Sequence, residues 1–306
     1  MLKRQLSLLI PSVLFVLPVT ASQGPNACEL TAHRAKKARR AELISELFAN
    51  LANCANLSDP LEEAECYFEA FLEFNEGREE AQAQNEARLE LCAQLGGDPY
   101  EPDLDPDDFV AGVDNPFFPL TPGVTLVYHA DTEDGMEVIE VTTLDETREI
   151  MGIECVVVRD TVFLEGELIE DTFDYYAQDV VGNVWYMGEI AQNYEDGHLT
   201  DLGGSWIAGE DGGLAGILML AAPTVGQTYR QEFLVLEAED AGTVLALDAQ
   251  VTVPFGNFTM CLQTRDFTPL EPDANEHKFY AAGIGPVLEI DVDSGERLEL
   301  VDVITN

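Results

Sequence analysis

The chain has 306 residues, 46% of them apolar, enough for two domains or one large one with ample core. It carries 58 acidic residues against 15 basic ones, a formal net charge of −43. That balance excludes a nucleic-acid binder, because such a surface repels phosphates, and it disfavours anionic lipid surfaces for the same reason.

Residues 1–21 read as a secretory signal peptide. Lys3 and Arg4 form a positive start, Leu6 to Val19 is apolar, and Val19-Thr20-Ala21 is a small-residue cleavage site. The apolar run is short and interrupted by Pro11 and Pro18, so it predicts no membrane span. The expected location is periplasmic or extracellular, an oxidising setting in which the cysteines can pair.

Residues 26–97 read as a helical hairpin. In the first arm Leu30, Ala35, Ala38, Ala41, Ile44, Phe48 and Leu51 keep three- and four-residue spacing. Ala64, Phe68, Phe71, Leu91 and Leu95 do so in the second, with a break expected at Asn75-Glu76-Gly77. Asp59 and Pro60 suit the cap and first position of a second helix. Four cysteines allow three pairings. Residues facing each other across an antiparallel hairpin have position numbers with a constant sum. Cys28 with Cys92 and Cys54 with Cys66 share that sum, which selects those two bridges. The basic cluster His33 to Arg40 is either a docking patch or a set of pairs across the hairpin, with Arg40 opposite Glu80 and Arg34 opposite Glu86.

Residues 98–114 form an acidic, proline-rich segment expected to be an extended linker. Asp103, Asp105, Asp107 and Asp108 are calcium candidates through oxygen ligation, although their spacing does not match a helix-loop-helix calcium loop. No other cofactor is expected.

From residue 115 to the end the pattern changes to short β-branched and aromatic runs separated by Gly-containing turns, the signature of antiparallel strands. It also repeats. Cys155 with Arg159-Asp160 returns as Cys261 with Arg265-Asp266, Tyr176-Ala177 as Tyr280-Ala281, and Gly123 as Gly226. A nearly constant offset marks an internal duplication, with copies at about 116–200 and about 223–303 and a connecting segment at about 201–222. The predicted class is therefore α+β: a disulfide-stapled helical hairpin, then a mainly antiparallel β domain, a curved sheet or incomplete barrel built of two tandem repeats. Export favours a third disulfide between the equivalent Cys155 and Cys261; two buried thiols are the alternative. The Gly-rich connector, with Trp206 and Met219, is read as a lid over the sheet or as a plug that closes the core. Tyr176 and Trp185 are the further candidates for a ligand cavity, against a reading as ordinary cross-strand packing.

Several stretches carry a resemblance: Glu170 to Asp179, Gly182 to Glu189, Gly203 to Trp206, Tyr229 to Glu232, and Thr268 to Tyr280. Over roughly residues 115–300 they are similar to a family of exported bacterial proteins without assigned function. More distantly, Val253-Pro-Phe-Gly-Asn-Phe and Tyr280 to Val287 resemble curved-sheet proteins of the lipoprotein-carrier type. The resemblance implies a curved sheet that cradles apolar ligands.

No histidine has metal-ligand spacing, and no nucleophile elbow, phosphate loop or dinucleotide fingerprint is present. The expected function is an exported, non-enzymatic binding protein that holds a small apolar ligand or a protein partner on its curved sheet. The alternatives are a calcium-dependent structural or adhesion module and a hydrolase with an unrecognised site.

Overall fold

The computed structural model describes residues 24–305, so the signal-peptide reading of residues 1–21 lies outside the described residues. Helix α1 (Ala27–Cys54) starts at a capping box. The Asn26 side chain accepts from Glu29 N while the Glu29 side chain accepts from Asn26 N, which satisfies amides that a helix start leaves unbonded. Helix α2 (Pro60–Leu95) starts at Asp59, whose carboxylate accepts from Leu61 N and Glu62 N. The two helices are antiparallel and bridged by Cys28–Cys92 and Cys54–Cys66.

The break expected near Gly77 is absent. A Cβ at that position would lie 2.5 Å from Leu43 Cδ2, so the glycine admits Leu43 between the arms and the helix continues. Close approach costs side chains elsewhere: the buried apolar positions of α1 are mainly Ala32, Ala35 and Leu43, and Phe48, Leu61 and Phe68 near the tip are 67, 76 and 69% exposed. The expected Arg40–Glu80 and Arg34–Glu86 pairs are not formed among the described residues. Lys36 bonds Gln82, and Arg39 bonds Glu42 and Glu46 on its own helix.

The rest of the chain is a large antiparallel sheet, nearly closed like a barrel. Its strands are β1 (Val124–Thr132), β2 (Gly135–Ile150), β3 (Ile153–Leu164), β4 (Glu167–Asp179), β5 (Val184–Ile190), β6 (Leu214–Met219), β7 (Thr228–Arg230), β8 (Glu232–Phe233), β9 (Ala241–Val253), β10 (Gly256–Phe267), β11 (Glu276–Ala281), β12 (Gly285–Asp291) and β13 (Arg297–Thr305). Each of β1 to β5 pairs with the next, as do β9 to β13, and β13 returns to pair with β1, Leu300 opposite Tyr128.

The connector does not lie over the sheet as a lid; Trp206, Ala215 and Met219 are buried in the core, which fits the alternative of a segment that closes it. Its β6 is a wall strand, with Gly216 opposite Tyr186 on β5 and Ala215 opposite Glu232 on β8. Gly216 makes this closure sterically feasible, because a Cβ there would overlap the backbone of Gln231. This continuous apolar run finds sheet partners on both edges, which satisfies more backbone groups than a lid would.

The third disulfide is not formed; Cys155 and Cys261 are buried free thiols. They sit on β3 and β10. The two halves meet at the β13–β1 ladder rather than along those strands, so the cysteines lie in separate core clusters. Burial pushes the Cys155 thiol up to about 12, which leaves it unreactive.

The acidic segment is packed down rather than free. Tyr100 donates to Ala215 O, and Phe109 and Val110 pair with Asp179 and Gln178 at the edge of β4. The two-stranded hairpin Val113–Asn115 with Phe118–Leu120 then folds over one mouth of the barrel.

The helical hairpin is seated on the barrel at its base. Arg88 of α2 makes a bidentate ion pair with Glu239, at 2.7 and 2.8 Å, with side chains 6 and 2% exposed. Gln84 donates to Leu270 O, and Thr228 Oγ1 donates to Gln94 Oε1. No described helix is long and apolar enough to cross a membrane.

Candidate functional site

The β domain encloses a lumen of about 650 Å3, within the roughly 300–1,000 Å3 typical of small-molecule sites. Its two sides differ because the strands that wall it differ. On β13, β1 and β2, alternation turns Leu298, Val303, Leu126, Ile139 and Val141 inward. The capping hairpin adds Phe118 and Leu120. This side is apolar.

The remaining arc is acidic. Asp160 on β3, Asp174 on β4, Glu189 on β5, Glu232 on β8, Asp240, Asp266 on β10 and Glu289 on β12 all line the lumen. One cation faces them, Lys278 on β11, the only lysine of the chain beyond residue 37. It sits 3.3 Å from Glu289 and 3.4 Å from Glu276. Burial alone would lower the Lys278 ammonium, but Glu289, Asp266 and Glu276 outweigh it and hold the group charged.

One lysine cannot neutralise seven carboxylates. Asp174 and Glu189 are direct cross-strand partners, and like charges so placed repel. Their surroundings favour the protonated form of each. Burial first, then neighbouring carboxylates, raises Glu189 to about 9 and Glu232 to about 8. Burial raises Asp174 to about 7, although a 2.6 Å bond from Tyr186 Oη works against the shift. Asp160 is pushed well up by burial and by Asp174. Asp240 moves the same way, mainly by burial.

Two acceptors in this arc are unsatisfied. Asp266 is 6% exposed and accepts from Gln231 Nε2 through Oδ2 at 2.9 Å, while its Oδ1 has no partner. Asp160 Oδ1 is likewise buried without a partner. These residues hold corresponding places in the two stretches whose sequences match, each following an arginine that is absent from the lumen's lining. Arg159 pairs with Asp171 and Arg265 with Asn275. Tyr176 and Tyr280, another repeated pair, also line the lumen.

The sequence-predicted site residues separate. Tyr176 faces the lumen, its ring stacked 4.9 Å from Tyr186 and edge-on to Phe118. Trp206 and Met219 are 3 and 0% exposed in the core behind the wall. Trp185 donates to Asp179 and borders a second cavity of about 530 Å3 beneath the helical hairpin, with Arg88, Arg230 and Tyr100. Asp105 accepts from Asp107 N and caps a short 3-10 turn, Pro106–Asp108, which gives the aspartate run a structural use. Among the described residues no group of three or more His, Cys, Asp or Glu side chains is arranged to hold a metal ion, Asp103 and Asp108 included.

Sequence reasoning passed over Asp160, Asp174, Glu189, Glu232, Asp266 and Lys278. A signal existed for two of them: Arg-Asp is repeated, and a repeated aspartate inside a strand is unusual enough to mark a shared inward position. Lys278 is marked by its rarity.

No protein-family profile and no curated protein matches the chain. Among solved structures, a crystal structure of a "putative lipoprotein" from Parabacteroides distasonis is similar over 61% of this chain and 98% of that one, with 12% identity and a TM-score of 0.34. At those values the likeness carries no argument about what this chain binds.

Proposed function

We propose that this is an exported, non-enzymatic binding protein that carries a small amphiphilic molecule in the lumen of its barrel. The observation that supports this reading is the lumen itself: about 650 Å3, apolar along one side and lined by hydrogen-bonding groups along the other. The apolar wall supplies burial of about 25 cal/mol per Å2 of ligand surface, and the polar arc supplies orientation. Export is supported by the two disulfides, which persist in oxidising compartments. A calcium-dependent role draws no support from the arrangement of Asp103, Asp105, Asp107 and Asp108. A hydrolase draws none from the two thiols, which are buried.

The test is native mass spectrometry of protein purified from an oxidising compartment without detergent, followed by titration with an environment-sensitive apolar dye. Bound mass in the 200–500 Da range, on the order of a small-molecule site's capacity, and dye uptake quenched by Leu126→Trp or Ile139→Trp, are expected. A protein that emerges bare and excludes the dye at saturating concentration rejects the reading.

A further inference from the structure

We infer that the ligand of the lumen is a primary amine on an apolar body, its ammonium held in the acidic arc that contains Asp160 and Asp266. This rests on the binding-protein reading above and adds the chemistry of the head group.

The argument starts from what the acidic arc lacks. A neutral apolar guest would leave Asp160 Oδ1 and Asp266 Oδ1 buried and unpartnered, and an unmade bond of that kind costs more than a made one contributes. In the ionised form that an incoming cation favours, both atoms are acceptors, so the missing partner is a donor. A carboxylate guest supplies none and adds repulsion to the seven carboxylates present. A quaternary ammonium supplies charge but no N–H. A primary ammonium supplies three donors and one positive charge. The two acceptors come from corresponding positions on β3 and β10, and either can take a donor from a head group in the acidic arc. Tyr176 and Tyr280 line the same space. Lys278 shows the principle within the chain: the one amine already there sits against Glu289 and Glu276.

The apolar side fixes the rest of the molecule. Leu126, Ile139 and Val303 offer no polar partner, so the body that follows the ammonium is hydrocarbon.

Charge balance gives a second signature. The groups facing the head-group position are Asp160 from β3, Asp174 and Glu170 from β4, Glu189 from β5, Glu232 from β8, Asp240, Asp266 from β10, Glu276 and Lys278 from β11, and Glu289 from β12. Several of these acids hold a proton in the empty protein. An arriving ammonium favours the ionised forms, so a proton leaves to solvent as the cation enters and the net charge of the site is conserved.

The experiment is calorimetric titration of the full mature protein with four octyl probes: octylammonium, octyltrimethylammonium, octanol and octanoate. It is done at about 1 M NaCl, where a Debye length of about 3 Å screens the acidic surface. The expected result is octylammonium binding at least tenfold tighter than octanol and octyltrimethylammonium, with no octanoate binding. Proton release should be measured by repeating the titration in buffers of different ionisation enthalpy, and affinity should rise from pH 6 to pH 8. The Asp160→Asn/Asp266→Asn variant should lose the preference for octylammonium and keep octanol binding. Octanol or octanoate binding as tightly as octylammonium would overturn the inference and leave the binding-protein reading intact. Binding of none of the four would overturn both. The wild-type comparison does not depend on the variant folding.

Discussion

Two regions of this molecule bury charge, and they do it in opposite ways. Where the helical hairpin meets the barrel, Arg88 and Glu239 pair bidentately, with Arg88 Nη1 left without a partner, and Glu239 also accepts from Leu236 N. Arg230, beside them, lies over the rings of Phe233 and Tyr100 at 4.3 and 5.6 Å. In the lumen, seven carboxylates share one lysine, and the acceptors Asp160 Oδ1 and Asp266 Oδ1 are unpartnered. The first arrangement uses paired charge to fix one element on another. The second accumulates unpaired charge around a space, which is costly in a folded protein unless something else completes it.

The largest expected effect lies at the junction. Arg88→Met strands the Glu239 carboxylate at 2% exposure, and chemical denaturation should show a loss of about 3–5 kcal/mol. The Arg88→Met/Glu239→Leu double variant should recover most of it. If the double variant is as unstable as the single one, the pair is not what seats the hairpin.

The lumen should respond in the reverse sense. Its acids are raised in the folded state above their unfolded values, so the folded protein holds protons that the unfolded chain has released. Stability is therefore present in mild acid and is lost as pH rises from about 4 toward the folded values of about 7, 8 and 9 of Asp174, Glu232 and Glu189. The melting midpoint of the empty protein should be higher at pH 5 than at pH 9. A flat profile across that range would mean the acids are solvated and the lumen is open to bulk water. Within the same comparison, Glu189→Gln should stabilise by on the order of 2 kcal/mol at pH 9 and by little at pH 5. Equal effects at both pH values would assign the change to packing.

The smallest effect is expected at the hairpin tip. Phe48→Ser and Phe68→Ser remove side chains that are 67 and 69% exposed, and each should change stability by no more than about 0.5 kcal/mol. A larger loss in thermal melting would show that the tip is covered in solution.

The hairpin's cross-links were legible because antiparallel geometry leaves an arithmetic trace in the positions of Cys28, Cys54, Cys66 and Cys92. The strands were legible from alternation and turns. The lumen was not, for a physical reason. Alternation tells which residues share a face, but a barrel has an inner and an outer face, and both can carry charge when the inner one surrounds a cavity. Asp174 and Glu189 look like solvent residues until β5 is closed against β6. The same closure misled the reading of Cys155 and Cys261: equivalent positions in a repeat become neighbours only if the symmetry axis passes between their strands, and here the halves join at β13 and β1. The lid reading of the connector fails because Gly216 serves a close approach of two backbones within the wall, a use that a glycine's position in sequence does not reveal.

The seating of the hairpin has a mechanical consequence. From Pro60 to Arg88 is about 42 Å at 1.5 Å per residue, against about 10 Å from Arg88 to Leu95. The hairpin is thus a long arm on a short base, with Cys54–Cys66 holding the two helices together at the far end. With Leu95 as the pivot, force applied at the Pro60 end would load the Arg88–Glu239 contact about fivefold.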